Sequence, residues 1–168
     1  PATQKAISEL SAWENVTMVD CASGELACGT TGKGRMQEID VIAAAAAYAL
    51  APKTLAGKNI LITAGPTQEA IDPVRYISNA STGKMGYAIA KMAMLRGADV
   101  TLVSGPTSIP YPPFVKVVPI KSAQDMFEAV AAHAADSDYI FKAAAVADYT
   151  PADYNDNKMK KKDGDLSI

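Results

Sequence analysis

The chain has 168 residues, 49% of them apolar, and carries 16 Lys and Arg against 18 Asp and Glu. A charge so close to balance leaves no electrostatic footprint for nucleic acid or an anionic membrane. The only cysteines, Cys21 and Cys28, make no disulfide framework, and the longest apolar run, 41–51, is too short to span a bilayer, so a cytoplasmic protein is expected.

In chain order, Ala2–Trp13 places Ile7, Leu10 and Trp13 near one helical face, and Val16–Val19 reads as a short strand. Ser23–Met36 holds Gly24, Gly29, Gly32 and Gly34, a density that suits a loop able to close over a ligand and reopen. Gln37–Ala51 is alanine-rich with Ile39, Ile42 and Ala46 at helical spacing. Pro52 and Gly57 bracket an expected linker at 52–57, separating units at 1–51 and 58–168.

Beyond the linker, strand and helix patterns alternate. Strands are expected at Asn59–Thr63, Asp99–Val103, Val115–Pro119 and Asp138–Lys142, with a proline-rich loop at Pro106–Pro113. One helix runs Met85–Arg96 and stops at Gly97; another runs from a Ser122 cap to about Ala135, with Asp125 in its first turn. Alternation of this kind predicts a Rossmann-like, doubly wound, mostly parallel sheet with ligands at the carboxyl ends of its strands. The single histidine, His133, lies on the later helix and reads as a surface residue.

The segment Asp72–Gly86, DPVRYISNASTGKMG, lies between the first of these strands and its helix. Read as a long loop that feeds Ser81, Thr82 and Gly83 into the first helical turn, it makes a place for an anion, with Gly65 behind it and Lys84 as a mobile charge. A capped helix after a long loop is the plainer alternative. Gly65-Pro66-Thr67 is no G-x-G-x-x-G fingerprint, the second strand ends Val103-Ser104-Gly105 without an acid, and no Walker loop is present.

These motifs carry a resemblance. GPTQEAIDPVRYISNASTGKMG, followed by VTLVSGP, AAAVADY and KMKK, closely resembles the phosphopantothenate–cysteine ligase part of bacterial bifunctional coenzyme A enzymes. ASGELACGTTGKGRM, Ala22–Met36, looks like the substrate flap of the phosphopantothenoylcysteine decarboxylase that precedes that ligase. The resemblance implies that 1–51 is the C-terminal part of a flavoprotein-type α/β decarboxylase and 58–168 the N-terminal portion of the ligase. It also implies a chain that is part of something longer. The opening Pro1 inside a helical pattern and the strand-like Asp165–Ile168 agree with that.

The chemistry implied is CTP-dependent activation of 4′-phosphopantothenate to an acyl-cytidylate. Attack by the cysteine amine follows, with magnesium offsetting repulsion between carboxylate and triphosphate. Cys28 matches the decarboxylase's acid, Asn79 the asparagine beside the acyl group, and Lys142, Ala143, Ala144 and Asp148 the nucleotide contacts. Lys158, opening Lys158–Lys161, matches the group that meets the phosphates. The metal ligands are not readable. A ligase dimer is implied, and FMN only for the full-length decarboxylase: its flavin pocket, catalytic histidine and PxMNxxMW motif have no counterpart here.

Each residue also has an ordinary explanation. Cys28 is a buried thiol, Asn79 a turn cap, Asp148 turn chemistry and the lysines a solvated tail. Two further functions therefore stand beside the first: a monofunctional ligase using another nucleotide such as ATP, and a non-enzymatic nucleotide- or flavin-binding module.

Overall fold

A computed structural model describes residues 2–26 and 28–159. Lys160, Lys161 and the strand-like 165–168 lie outside the described residues. The chain divides into two compact units, Pro1–Pro52 and Lys53–Ile168. Among the described residues no helix is long and apolar enough to cross a membrane.

The first unit opens with helix α1 (Ala2–Ser11), which buries none of its residues. The expected strand at Val16–Val19 is absent: these residues form no regular structure and have no partner strand to bond. The glycine-rich segment is not an irregular loop but an antiparallel hairpin, β1 (Ala22–Glu25) with β2 (Thr31–Arg35), irregular between Ala22 and Ser23. Helix α2 (Ile39–Leu50) follows, and Ala44 and Ala45 are its buried residues.

The second unit starts at Lys53, so most of the expected linker belongs to it. Leu55 packs against its core, and the Leu55 amide donates to the Arg96 carbonyl at 2.9 Å. Its chain order is β3 (Asn59–Ala64), β4 (Gln68–Asp72), β5 (Arg75–Ser78), α3 (Lys84–Leu95), β6 (Asp99–Ser104), β7 (Lys116–Pro119), α4 (Ala123–Ala134) and β8 (Tyr139–Lys142). The four-stranded sheet runs β7-β6-β3-β8, all parallel. The doubly wound, Rossmann-like expectation is borne out. Alternate side chains of the central strands bury on opposite faces. Ile60, Ile62 and Leu102 pack with Tyr87, Ala90 and Met94 of α3, while Leu61 and Val103 pack with Met126 of α4.

Both helix termini read from the sequence form as expected. Gly97 takes φ 87° after α3, and its amide donates to Met94 at 2.9 Å. Ser122 and Asp125 make a reciprocal capping box at α4. The element missed is the antiparallel hairpin β4–β5, which stands between β3 and α3. Its turn, Asp72-Pro73-Val74-Arg75, carries Asp and Pro at the first two turn positions, a local signal that reading 72–86 as a single loop overrides.

Candidate functional site

The strand order reverses at β3: β6 lies on one side of it and β8 on the other. In open parallel sheets ligands bind outside the carboxyl ends of the strands at such a point. Here the crevice floor is built by hydroxyls. Thr63, buried at the end of an otherwise apolar strand, accepts from the Ala143 and Ala144 amides through Oγ1, at 3.2 Å each. Thr67, fully buried, accepts from the Ala147 amide at 3.0 Å. The Ala145 amide donates to the Gly65 carbonyl at 2.9 Å, and the Thr67 amide returns to the Ala145 carbonyl at 3.4 Å. The backbone of 143–147 is therefore pinned to the end of β3. Neither Thr63 nor Thr67 is singled out by sequence; Thr63 is signalled only as a lone hydroxyl inside an apolar run, and Thr67, between Pro66 and Gln68, carries no such signal.

The glycines define the other wall. Gly65 and Gly83 take left-handed backbones, φ 74° and 72°, and a Cβ on Gly83 would lie 2.8 Å from Thr107 Cγ2 and 3.4 Å from the Gly65 nitrogen. A Cβ on Gly86 would meet Ala64 Cβ at 2.5 Å, so this glycine lets α3 lie directly on β3. Tight turn, backbone approach and helix–strand packing are the three tasks that a dinucleotide fingerprint gives to closely spaced glycines. The hairpin inserted after Gly65 spreads them over 65, 83 and 86, which is why no fingerprint is legible. Gly105 is equally constrained, since its Cβ would fall within bonding distance of the Pro66 carbonyl oxygen. Behind this wall Tyr87 Oη lies 2.9 Å from Ser104 Oγ and 2.8 Å from Thr107 Oγ1.

Ser81 and Thr82 lie before α3, not in its first turn. Gly83 is the N-cap and has no side-chain cap bond. The Ser81 and Thr82 hydroxyls instead accept from the Gly83 amide at 3.3 Å and the Lys84 amide at 3.5 Å. Lys84, the first helical residue, is exposed. The positive end of the α3 dipole thus lies beside Gly65, with only the long Thr82 bond engaging its first amide.

Asn79, just past β5, donates from Nδ2 to the Val146 carbonyl at 2.9 Å. This bond ties the end of β5 to the segment that follows β8. Lys142 ends β8 and is exposed, Ala143 and Ala144 are half-buried, and Asp148 sits exposed in a bend beyond them. Gly65, Gly83, Asn79 and the 143–147 backbone are therefore tied together at the carboxyl end of β3, with Ser81, Thr82, Lys84, Lys142 and Asp148 next to them in the chain.

Lys158 does not join them at close range. It is exposed, next to Met159, whose amide is held by Asp72 at the turn of the hairpin. Asn79 follows the hairpin's opposite end, and four strand steps from Gln68 to Asp72 span about 13 Å. Cys28 belongs to the first unit, exposed, with Sγ 3.1 Å from Thr30 Oγ1. The Thr30 hydroxyl, then the Thr30 backbone, hold its thiol below the ordinary value.

Residues 55–168 match the family described as the DNA/pantothenate metabolism flavoprotein C-terminal domain. The chain belongs to this family. It is 52% identical over 162 residues to the coenzyme A biosynthesis bifunctional protein CoaBC of Vibrio vulnificus, covering 96% of this chain and 40% of that protein. Against CoaBC of Bacillus subtilis the identity is 46% over 172 residues, covering 100% of this chain and 42% of the relative. A solved structure, the C-terminal domain of CoaBC, superposes with TM-score 0.59 at 57% identity, over 61% of this chain and 52% of that one. The resemblance read from the motifs is borne out at the level of the family. The chain spans about two-fifths of the curated relatives it matches.

Proposed function

We propose that the second unit is the amino-terminal portion of a CTP-dependent phosphopantothenate–cysteine ligase, acting in coenzyme A biosynthesis within a longer bifunctional protein. The observation that carries it is the bond from Asn79 Nδ2 to the Val146 carbonyl, which ties the asparagine to the 142–148 segment at the carboxyl end of the sheet.

In this proposal the α3 terminus and Lys84 take an anionic phosphate of the substrate, by dipole and by charge. With the Ala143 and Ala144 amides occupied by Thr63, the nucleotide meets their carbonyls and the exposed side chains of Lys142 and Asp148. Asn79 offers a neutral amide to the acyl carbonyl, and Lys158 brings charge to the phosphates. Orientation and fixed dipoles supply most of the rate.

Among the described residues no group of three or more His, Cys, Asp or Glu could hold a metal ion. In this proposal magnesium is carried by the triphosphate. The first unit is the flap of an FMN-dependent decarboxylase. Its described residues bury only Ala44 and Ala45. Cys28 supplies a proton there. The protein is expected to work as a ligase dimer in the cytoplasm.

The test is pyrophosphate release from CTP by the full-length gene product, with magnesium and 4′-phosphopantothenate, with and without cysteine. Release that requires phosphopantothenate, with CMP appearing only on adding cysteine, is the expected result. Release from ATP alone changes the nucleotide; release from neither leaves a binding module.

A further inference from the structure

We propose that Asp72 is a positioning residue for Lys158, acting with Arg75 as a clasp on the backbone of Met159. The proposal rests on Lys158 being the phosphate-contacting group of the ligase.

The two carboxylate oxygens of Asp72 do different work. Oδ1 closes the hairpin's own turn, accepting from the Val74 amide at 2.9 Å and the Arg75 amide at 2.8 Å. Oδ2 has no part in the turn. It accepts from Arg75 Nε at 2.9 Å and Nη2 at 2.5 Å, and from the Met159 amide at 3.1 Å, a residue 87 positions away. Arg75 Nη2 completes the grip by donating to the Met159 carbonyl at 2.5 Å. Both polar groups of Met159 are therefore held by one ion pair. Upstream, the Asn155 amide donates to the Ile71 carbonyl at 3.0 Å, so the segment is tied to the hairpin at two points.

A turn of this kind needs only one acceptor oxygen; asparagine or serine serves as well. The Asp72 side chain is fully buried, and a buried charge is costly unless paired and hydrogen-bonded. The second oxygen is explained by what it holds, and what it holds is the peptide next to Lys158. The lysine itself stays exposed. Its backbone is fixed while its side chain remains free, so reaching an anion costs side-chain rotamers and not the ordering of a loop.

The test uses Asp72→Asn and Asp72→Ser in the full-length gene product, singly and combined with Lys158→Gln. Both variants keep an acceptor for the turn and lose Oδ2, so one serves if the other fails to fold. Amide exchange at Met159 is expected to rise at least about tenfold. Acyl-nucleotide formation from CTP and phosphopantothenate is expected to slow about tenfold to a hundredfold in kcat. The double variants should be no slower than Lys158→Gln. Unchanged exchange at Met159 overturns the clasp. Faster exchange with additive kinetic losses overturns the link to Lys158. A Lys158→Gln enzyme of normal rate removes the lysine from the reaction and overturns the positioning role, while exchange at Met159 still judges the clasp separately.

Discussion

At the scale of single residues, two side chains give pH-dependent expectations of definite sign. The Thr30 hydroxyl holds the exposed Cys28 thiol below its ordinary value. Alkylation of Cys28 should therefore reach half its maximal rate at a lower pH than an unperturbed thiol does. Thr30→Ala should move that midpoint up; an unmoved midpoint removes the hydroxyl from the account. For Asp72, burial pushes the carboxyl up, but the bonds from Arg75, Val74 and Met159 outweigh it and hold it well below the usual range. With a depressed native value, the unfolded chain binds the proton first as pH falls below about 4. Stability contributed by Asp72 is present above that pH and lost below it. Asp72→Asn should flatten the acid limb of a urea-melt pH profile without changing its shape near neutrality.

At the scale of elements, contact between α3 and β3 sets the geometry of the site. A methyl at Gly86 gains about 1 kcal/mol of helix propensity. It also drives a Cβ to 2.5 Å from Ala64 Cβ and 2.9 Å from the Thr63 carbonyl oxygen, neither of which can retreat from the sheet. Overpacking of that kind costs about 1–3 kcal/mol. The clash wins, so Gly86→Ala should lower the denaturation midpoint. An unchanged or raised midpoint would show that α3 can shift off β3. The same shift would carry Gly83 and Lys84 away from Gly65, so any loss of the nucleotide binding proposed above should follow the loss of stability.

For the whole molecule, the division into units has a thermodynamic counterpart. The second unit has cores on both sheet faces, with Leu61, Ile62, Leu102 and Val103 fully buried. The first buries only two alanines among its described residues. A polypeptide of residues 53–168 should therefore unfold cooperatively with nearly the same midpoint as the whole chain. Residues 1–52 by themselves should show no cooperative transition, because so small a core does not offset chain entropy. A melt in which 53–168 loses its transition would mean that the units share their stability.

The sequence by itself determined what depends on neighbours in the chain. Apolar runs, Gly97, and the Ser122–Asp125 pair specify strands, a helix stop and a capped start through contacts a few residues apart. The family motifs, local as well, point to the family to which the chain belongs. Tertiary structure decided what depends on distant residues. Hairpin β4–β5 is held at its base by the Gln68 amide to the Lys121 carbonyl at 2.7 Å and by Glu69 on the Ala123 amide at 2.9 Å. At its tip Asp72 reaches Met159. A hairpin needs such support, since two strands alone are marginal in water. The same holds for the crevice. Asn79 and Lys158 were legible as residue types in motifs, but their separation was not. Nor was the engagement of the Ala143 and Ala144 amides by Thr63, about 80 residues earlier, since no local pattern encodes such a pairing.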